Sequence, residues 1–142
     1  MPLLHSIVKA VTKPMPKVLS PGAHAVADYI SIGGFLLLGA LAMRSNKRAG
    51  AGLIACGIAE AATVMLTDFP GGVVKKIPFS THGKIDMGLA AVTATLPGFF
   101  GFEKDAERVY FEGQALLITA VTGMTDFGRG RNWQESFERD AA

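Results

Sequence analysis

Charged residues and cysteine are both scarce in this chain of 142 residues. Only 18% of the residues are charged, which is low for a soluble protein of this length, whereas 49% are hydrophobic. The net charge of +2 is too small to favour nucleic-acid binding. The single cysteine, Cys56, excludes a disulfide framework and a cysteine-based metal site within the chain. Nucleotide-binding loops and Ser-His-Asp or zinc-protease motifs are also missing, so we expect no catalytic residues and no enzymatic activity.

What the sequence does contain is a set of four apolar segments, separated by charged or Pro/Gly-rich breaks. Each is about 20 residues long, and at a rise of about 1.5 Å per residue a helix of this length crosses a bilayer. The segments run over 23–43, 49–69, 82–102 and 106–127. This pattern predicts four membrane-spanning helices in contact with the lipid bilayer. A buried four-helix bundle of a soluble protein is the alternative.

The second half of the sequence repeats polar positions of the first half after a shift of 58 residues. The shift needs no gap and aligns His24 with His82, Asp28 with Asp86, Thr67 with Thr125, Asp68 with Asp126, Phe69 with Phe127 and Gly72 with Gly130. Because each half crosses the membrane twice, both copies insert the same way up, related by a pseudo-twofold axis along the membrane normal. The predicted fold is an all-α integral membrane four-helix bundle of two tandem helical hairpins in parallel repeat.

This repeat divides the chain into four parts. Residues 1–22 form an N-terminal interfacial segment, 23–72 the first hairpin, 73–130 a linker and the second hairpin, and 131–142 a C-terminal interfacial tail. An apolar helical face beside lysines in the first part, and spaced aromatic residues in the last, are typical of helices on a membrane surface. Lysine and arginine number nine on the side of the termini and five on the other, which predicts cytoplasmic termini by the positive-inside rule.

The junction between the halves carries a recognisable string of residues. Thr67-Asp68-Phe69 is followed by Gly72-Val73-Val74-Lys75-Lys76-Ile77-Pro78, then by Thr81-His82 and by Asp86. This string resembles the repeat junction of the SPW-repeat family of small bacterial integral membrane proteins. The chain departs from the family pattern where Gly98 replaces the tryptophan of the Ser-Pro-Trp motif, and the first half has lost this motif. The resemblance implies a multi-pass protein of the bacterial cytoplasmic (inner) membrane, and it implies no activity.

The predicted topology brings ionisable residues to one membrane face. His24 and His82 each lie at the start of a predicted helix, and each Thr-Asp-Phe string lies at the end of one. The His-x-x-x-Asp spacing places each histidine and the aspartate four residues later on the same face of a helix. The expected polar cluster consists of His24, Asp28, Asp68, His82, Asp86 and Asp126. Glu60 and Glu112 are expected to extend it as a polar path into the bundle. Ionisable residues inside a membrane segment are usually paired or turned towards the bundle interior.

Several interpretations of this cluster stay open at the level of sequence. In our leading interpretation, the histidine–aspartate pairs hold the two hairpins together, and the protein is a non-enzymatic accessory or structural subunit. The alternative is a metal-binding or proton- and ion-handling protein, with a transition metal on His24, His82, Asp28 and Asp86. A haem between the two histidines is a smaller alternative. A homo-oligomer or a larger membrane complex is expected, because stripes of small residues favour close helix contacts, either within the chain or between copies. These stripes are Ala51, Ala55 and Ala59, and Ala90, Ala94 and Gly98.

Overall fold

A computed structural model describes residues 15–128 of the chain. Residues 1–14 of the predicted N-terminal interfacial segment and the predicted C-terminal tail lie outside these residues, and the last two residues of that N-terminal segment, Pro21 and Gly22, belong to the first helix. The described part contains four helices, α1 (Pro21–Ala42), α2 (Lys47–Leu66), α3 (Phe79–Phe99) and α4 (Arg108–Met124). It also contains two short strands, β1 (Thr67–Asp68) and β2 (Ile77–Pro78), which pair in parallel. The prediction of four helices is confirmed, and the strands are an addition that the sequence analysis missed.

Local capping residues explain where the helices begin and end. The Ser20 side chain accepts a hydrogen bond from the backbone of Ala23, and Pro21 occupies the first turn of α1, where its missing N–H is not needed. Asn46 caps α2 in the same way. Helix α2 stops at Leu66 because Thr67 takes an extended backbone conformation, with φ −86° and ψ 140°, and starts β1. Helices α1 and α2 therefore begin two residues before the predicted segments.

The four helices form a bundle in which each helix packs against two others. Helix α1 contacts α2 and α4, and helix α3 contacts α2 and α4. Phe35, Leu53 and Phe111 are fully buried in the middle of the bundle. A second apolar cluster, which includes Phe69 and Phe79, lies at the end where the two strands pair. The helices thus enclose two apolar clusters, and the end of the bundle that carries the strands also holds His24 and His82.

Two of the four helices, α1 and α2, are long and apolar enough to cross a membrane. Only 39% of the apolar window of each helix is buried inside the protein. The exposed remainder includes large aliphatic side chains such as Ile30, Leu37 and Ile58, each more than 60% exposed. A helix in the core of a soluble protein would bury most of such a window.

The closest approach between α1 and α2 does not use the predicted stripes of small residues. A Cβ added at Gly39 would lie 2.7 Å from a side-chain carbon of Ile54 and 3.1 Å from its backbone nitrogen. Gly50 is similarly crowded, by the side chain and the backbone nitrogen of Met43. Ala55 and Ala94, at the centres of the predicted stripes, are exposed. The prediction of close contact within the chain is therefore wrong for these two alanines, because they face outward.

The connections at the other end of the bundle are tied by polar contacts. The Ser45 hydroxyl donates a hydrogen bond to Glu107, and the Asn46 side chain donates one to Asp105 at 2.9 Å. The hydrogen bond from Ser45 lowers the pKa of the Glu107 carboxyl below its usual range. These contacts join the α1–α2 turn to the loop before α4, so the two hairpins are linked at both ends.

Candidate functional site

The polar cluster forms at the start of α1 and of α3. His24 lies in the first turns of α1 and His82 in the first turns of α3, and neither side chain has any exposed surface. Asp28 and Asp86 follow one turn deeper in the same two helices and are 4% and 3% exposed. The sequence spacing His-x-x-x-Asp thus places each pair on the inner face of its helix. We call these four residues the His/Asp cluster.

The imidazole Nε2 atoms lie at the centre of the His/Asp cluster. They are 3.2 Å apart. Each Nε2 also lies near the carboxylate of the other helix: His24 is 3.2 Å from Asp86, and His82 is 3.2 Å from Asp28. Within each helix, the distance is 3.3 Å from His24 to Asp28 and 3.1 Å from His82 to Asp86. One potential ligand atom from each residue can be chosen so that all four lie within 4.8 Å of one another.

Two buried threonines determine which imidazole nitrogen carries a proton. The Thr125 hydroxyl donates its proton to the carbonyl of Val121, and the Thr67 hydroxyl donates to the carbonyl of Thr63. Each hydroxyl has only one proton, so it acts as an acceptor towards the histidine beside it. The Nδ1–H of His24 donates to Thr125 at 2.7 Å, and that of His82 donates to Thr67 at 2.8 Å. In a neutral imidazole this leaves Nε2 with a free lone pair directed into the cluster.

With both imidazoles neutral, the centre of the His/Asp cluster is rich in acceptors and poor in donors. Two Nε2 lone pairs and two carboxylates face one another, and in residues 15–128 no lysine or arginine lies within ion-pair distance of either aspartate. Within residues 15–128, Asp28 Oδ2 makes no hydrogen bond of acceptable geometry, although it is buried. Protonating both imidazoles would direct two N–H groups at each other across 3.2 Å. A cation at the centre compensates all four groups at once.

The spacing of the four groups approaches that around a tetrahedral metal ion. Zinc lies ~2.0–2.1 Å from histidine nitrogen and carboxylate oxygen, which places tetrahedral ligands ~3.3–3.4 Å apart. Five contacts in the His/Asp cluster measure 3.1–3.3 Å, with Asp28 using Oδ1 towards His24 and Oδ2 towards His82, and single ligand atoms from the four residues lie within 4.8 Å of one another. Two imidazoles and two carboxylates are a ligand set for zinc, manganese or non-haem iron. With two carboxylates and neutral imidazoles, a divalent ion also gives a net charge of zero, which favours burial.

Aromatic rings close the site towards the strand-bearing end of the bundle. Phe79 packs edge-on against His24, with ring centroids 5.4 Å apart, and stacks on Phe69 at 5.3 Å. Phe127 packs against the same histidine at 5.5 Å. Phe69 and Phe127 occupy matching positions of the two halves, so one ring comes from each Thr-Asp-Phe string. Four potential ligands under this apolar cover would make a closed metal site rather than an open catalytic one.

The structure does not bring all six predicted residues into the cluster. Asp68 is partly exposed, and its carboxylate lies 3.4 Å from the Lys75 ammonium group. Asp126 is partly buried, and its side chain accepts a hydrogen bond from the backbone of Gly128 at 3.0 Å. Each of these aspartates follows a threonine that contacts a histidine, and the backbone is extended there. Because neighbouring side chains of an extended segment point to opposite sides, the threonine faces the cluster and the aspartate does not.

The two glutamates of the predicted polar path have different surroundings. Glu60 is 2% exposed and lies inside the bundle, where it accepts a hydrogen bond from Ser31. The Glu112 side chain is 55% exposed and forms an ion pair with Arg108 at 3.0 Å. Glu112 lies on the outer face of α4, so it does not extend a path into the bundle.

Haem does not fit the site. The two Nε2 atoms are only 3.2 Å apart, with both carboxylates against them, which leaves no room for a porphyrin.

Sequence analysis did not assign a role to Thr67 or Thr125, although it aligned them as a pair. Their retention at the same position of both halves was the signal that could have identified them. A hydroxyl beside the outer nitrogen of each histidine is the kind of partner that orients a metal ligand. Phe79, which has no matching aromatic residue in the first half, could not have been found in this way.

Comparison of the chain with known proteins gives no match to a protein-family model, to a curated protein or to a solved structure.

Proposed function

We propose that this chain is a small four-helix membrane protein that binds a divalent transition-metal ion, of the zinc class, through His24, Asp28, His82 and Asp86. The ion joins the first helical hairpin to the second and has a structural role. The proposal combines two of the functions considered from sequence, a non-enzymatic structural subunit and a metal-binding protein. The observation that carries it is the convergence of two imidazole nitrogens and two carboxylates, with contacts of 3.1–3.3 Å.

The outer contacts of the histidines are of the kind that metal-binding imidazoles make. Here Nδ1 donates to a threonine on the outer side, and Nε2 faces the other Nε2 as well as two carboxylates. Imidazoles that bind metals commonly donate their second N–H to an outer partner that fixes their orientation.

Membrane insertion is supported by the exposed apolar surface. Helices α1 and α2 have the required length and hydropathy, and only 39% of each apolar window is buried inside the protein. Large apolar side chains also face outward on the other two helices, including Val92 on α3 and Leu116 on α4. Lipid is the environment in which such side chains need no protein partner. We include α3 and α4 as membrane-spanning, with both termini in the cytoplasm of a bacterial cell, as the resemblance to SPW-repeat proteins implies.

Pairs of equivalent contacts support the arrangement as two tandem hairpins. Thr67 pairs with Ile77 between β1 and β2, and Thr125 forms a parallel bridge with Leu19. A shift of 58 residues converts one pairing into the other, because it carries Leu19 to Ile77 and Thr67 to Thr125. The histidine–threonine contacts are related in the same way. A pseudo-twofold axis through the His/Asp cluster accounts for both sets of contacts.

Metal content after purification tests the metal site. Full-length protein is purified in detergent without added chelator, and bound metals are measured by elemental analysis. We expect about one divalent transition-metal ion per chain, lost in His24→Ala and in Asp86→Asn. Glu112→Gln is the matched control, because it removes an exposed carboxylate far from the cluster and should keep the metal. Parent protein that purifies without metal and does not bind added zinc, manganese or iron would overturn the assignment.

Cysteine accessibility tests the membrane topology independently of the metal. In a Cys56→Ser background, single cysteines at Ser45 and Ser80 lie at opposite ends of the bundle. In membrane vesicles of known orientation, an impermeant thiol reagent should label the two positions from opposite sides. Labelling of both from the same side would contradict a membrane-spanning bundle, whatever the metal content.

A further inference from the structure

An apolar groove runs between α2 and α3 on the outside of the bundle. It has a volume of about 500 Å³, and its surface is almost entirely apolar. Clefts of ~300–1,000 Å³ with apolar walls are typical of binding sites for small molecules. Small side chains of α2 form one wall of the groove, and larger side chains of α3 form the other. These residues are Ala51, Ala55 and Ala59 on α2, and Leu89, Val92 and Leu96 on α3.

An arginine lies at one end of this groove. Arg48 is in the first turn of α2, and its Nη1 donates a hydrogen bond at 2.8 Å to the carbonyl of Phe100, just beyond the end of α3. Within residues 15–128, no carboxylate lies within ion-pair distance of Arg48. The hydrogen bond to Phe100 uses one of the five N–H groups of the guanidinium. The others can bind an anion, and a guanidinium often binds phosphate through two parallel hydrogen bonds.

The groove and its arginine occur at only one of the two interfaces that the repeat relates. A shift of 58 residues relates the interface of α2 with α3 to that of α4 with α1. It carries Arg48 to Ala106, so the charge is lost. It also carries Ala59 to Leu117, which borders a gap beside α1 that is too small for a water molecule. The repeat therefore does not require an open groove, and the groove and the positive charge occur together.

We propose that the groove binds one anionic phospholipid, with an acyl chain along the alanines of α2 and the phosphate group on Arg48. The proposal rests on the membrane-spanning arrangement proposed above, in which the groove faces lipid. Arg48 then lies at the membrane surface opposite the His/Asp cluster. Basic residues beside pockets between membrane helices are a known means of binding anionic lipid head groups. A lipid bound there adds contacts between the two hairpins at the end of the bundle remote from the metal.

A second copy of the chain fits the groove less well than a lipid. Two copies inserted the same way up are related by an axis along the membrane normal, so identical residues meet at the same depth. Packing the alanines of α2 against those of a second copy would bring the two Arg48 side chains to the same end of the contact. Like charges at close range repel each other. The phosphate of a lipid instead neutralises the arginine.

Native mass spectrometry tests the lipid site. Full-length protein in detergent is mixed with phosphatidylglycerol or with phosphatidylcholine of the same acyl chains, whose choline cation offsets the phosphate charge. We expect one phosphatidylglycerol per chain, bound ~5-fold more tightly than phosphatidylcholine, because one basic residue near a membrane surface contributes about that factor. Arg48→Gln should remove this preference. Arg44→Gln is the matched control, since it removes an exposed arginine at the same end of the bundle that does not line the groove.

Filling the groove separates a defined site from general contact with lipid. Ala55→Leu places a larger side chain on the wall of the groove and should weaken the binding of both lipids. Its melting temperature without added lipid should remain that of the parent, because Ala55 is exposed. Equal affinity of the parent for the two lipids, or a preference that survives in Arg48→Gln, would overturn the proposal. A parent dimer that Ala55→Leu dissociates would also overturn it, because a second copy would then occupy the groove.

Photolabelling locates the lipid without any substitution. A phosphatidylglycerol with a photoreactive group in its acyl chain should label the segment of α3 from Leu89 to Leu96. Labelling spread evenly over all four helices would contradict a defined site. Cysteines at Ser45 and Ser80 that are labelled from opposite sides, in a protein with no preference for phosphatidylglycerol, would refute this site and leave the membrane-spanning bundle intact.

Discussion

Replacing Thr67 by valine removes a hydroxyl from the outside of the His/Asp cluster without changing a metal ligand. Valine is close to threonine in shape, so the main change is the loss of the acceptor for the Nδ1–H of His82, now 2.8 Å from the hydroxyl. His82 has no exposed surface, so water does not replace that acceptor. A buried donor left without a partner costs about 1–3 kcal/mol. Losing an outer partner of a metal-bound histidine lowers metal affinity by about 10–100-fold, or ~1.4–2.7 kcal/mol.

The assay is competition for zinc against a chelator of known affinity, with protein in detergent. Thr67→Val and Thr125→Val should each weaken zinc binding within that range, and by similar factors, because the Thr125 hydroxyl contacts His24 in the same way. Thr67→Ser should recover most of the loss, since it restores the hydroxyl. Thr93→Val is the matched control: Thr93 is equally buried, but its hydroxyl contacts Cys56. If Thr67→Val binds zinc like the parent, or if Thr93→Val loses as much, the threonines do not orient metal ligands.

Three other predictions follow from the same geometry. His24→Ala and His82→Ala should each lower the free energy of unfolding, and the double variant should lose less than the sum of the two single losses, because the residues share one site. Additivity within about 0.5 kcal/mol in chemical unfolding would indicate two independent histidines. Gly39→Ala should destabilise the protein by ~1–3 kcal/mol through its clash with Ile54, whereas Ala55→Leu, on an exposed face, should change stability by less than ~0.5 kcal/mol. Zinc affinity should fall as the pH is lowered, because protons compete with the metal for the imidazole nitrogens; affinity that stays the same from about pH 7 to about pH 5 would exclude histidine ligands.

The sequence was sufficient to predict the four helices and the meeting of His24, Asp28, His82 and Asp86. Apolar segment length indicated the helices, and identical spacing in both halves indicated that each histidine and aspartate share a helix face. Asp68 was placed in the cluster because sequence position alone does not show that the chain leaves α2 at Thr67. The extended conformation there turns the threonine inward and the aspartate outward.

Helix packing was harder to predict from sequence than the His/Asp cluster. Ala55 and Gly39 both lie in patterns of small residues, but only the three-dimensional arrangement shows which one faces the neighbouring helix. Glu60 and Glu112 illustrate the same limit, because both are single acidic residues in apolar helices. Glu60 lies on the inner face of its helix and is buried beside Ser31, whereas Glu112 lies on an outer face and is paired with Arg108 at the surface. Helical periodicity was weak in these segments because apolar residues occur on every face.

X-ray absorption at the zinc edge, recorded on the zinc-loaded protein in detergent, tests the central claim most directly. It reports the number, type and distance of the atoms bound to the metal. A zinc ion in the His/Asp cluster should show four nitrogen or oxygen ligands at ~2.0–2.1 Å, with the outer-shell scattering of two imidazole rings, and His82→Ala should lose one ring. Six oxygen ligands without imidazole scattering, or a spectrum unchanged in His82→Ala, would contradict metal binding at this site.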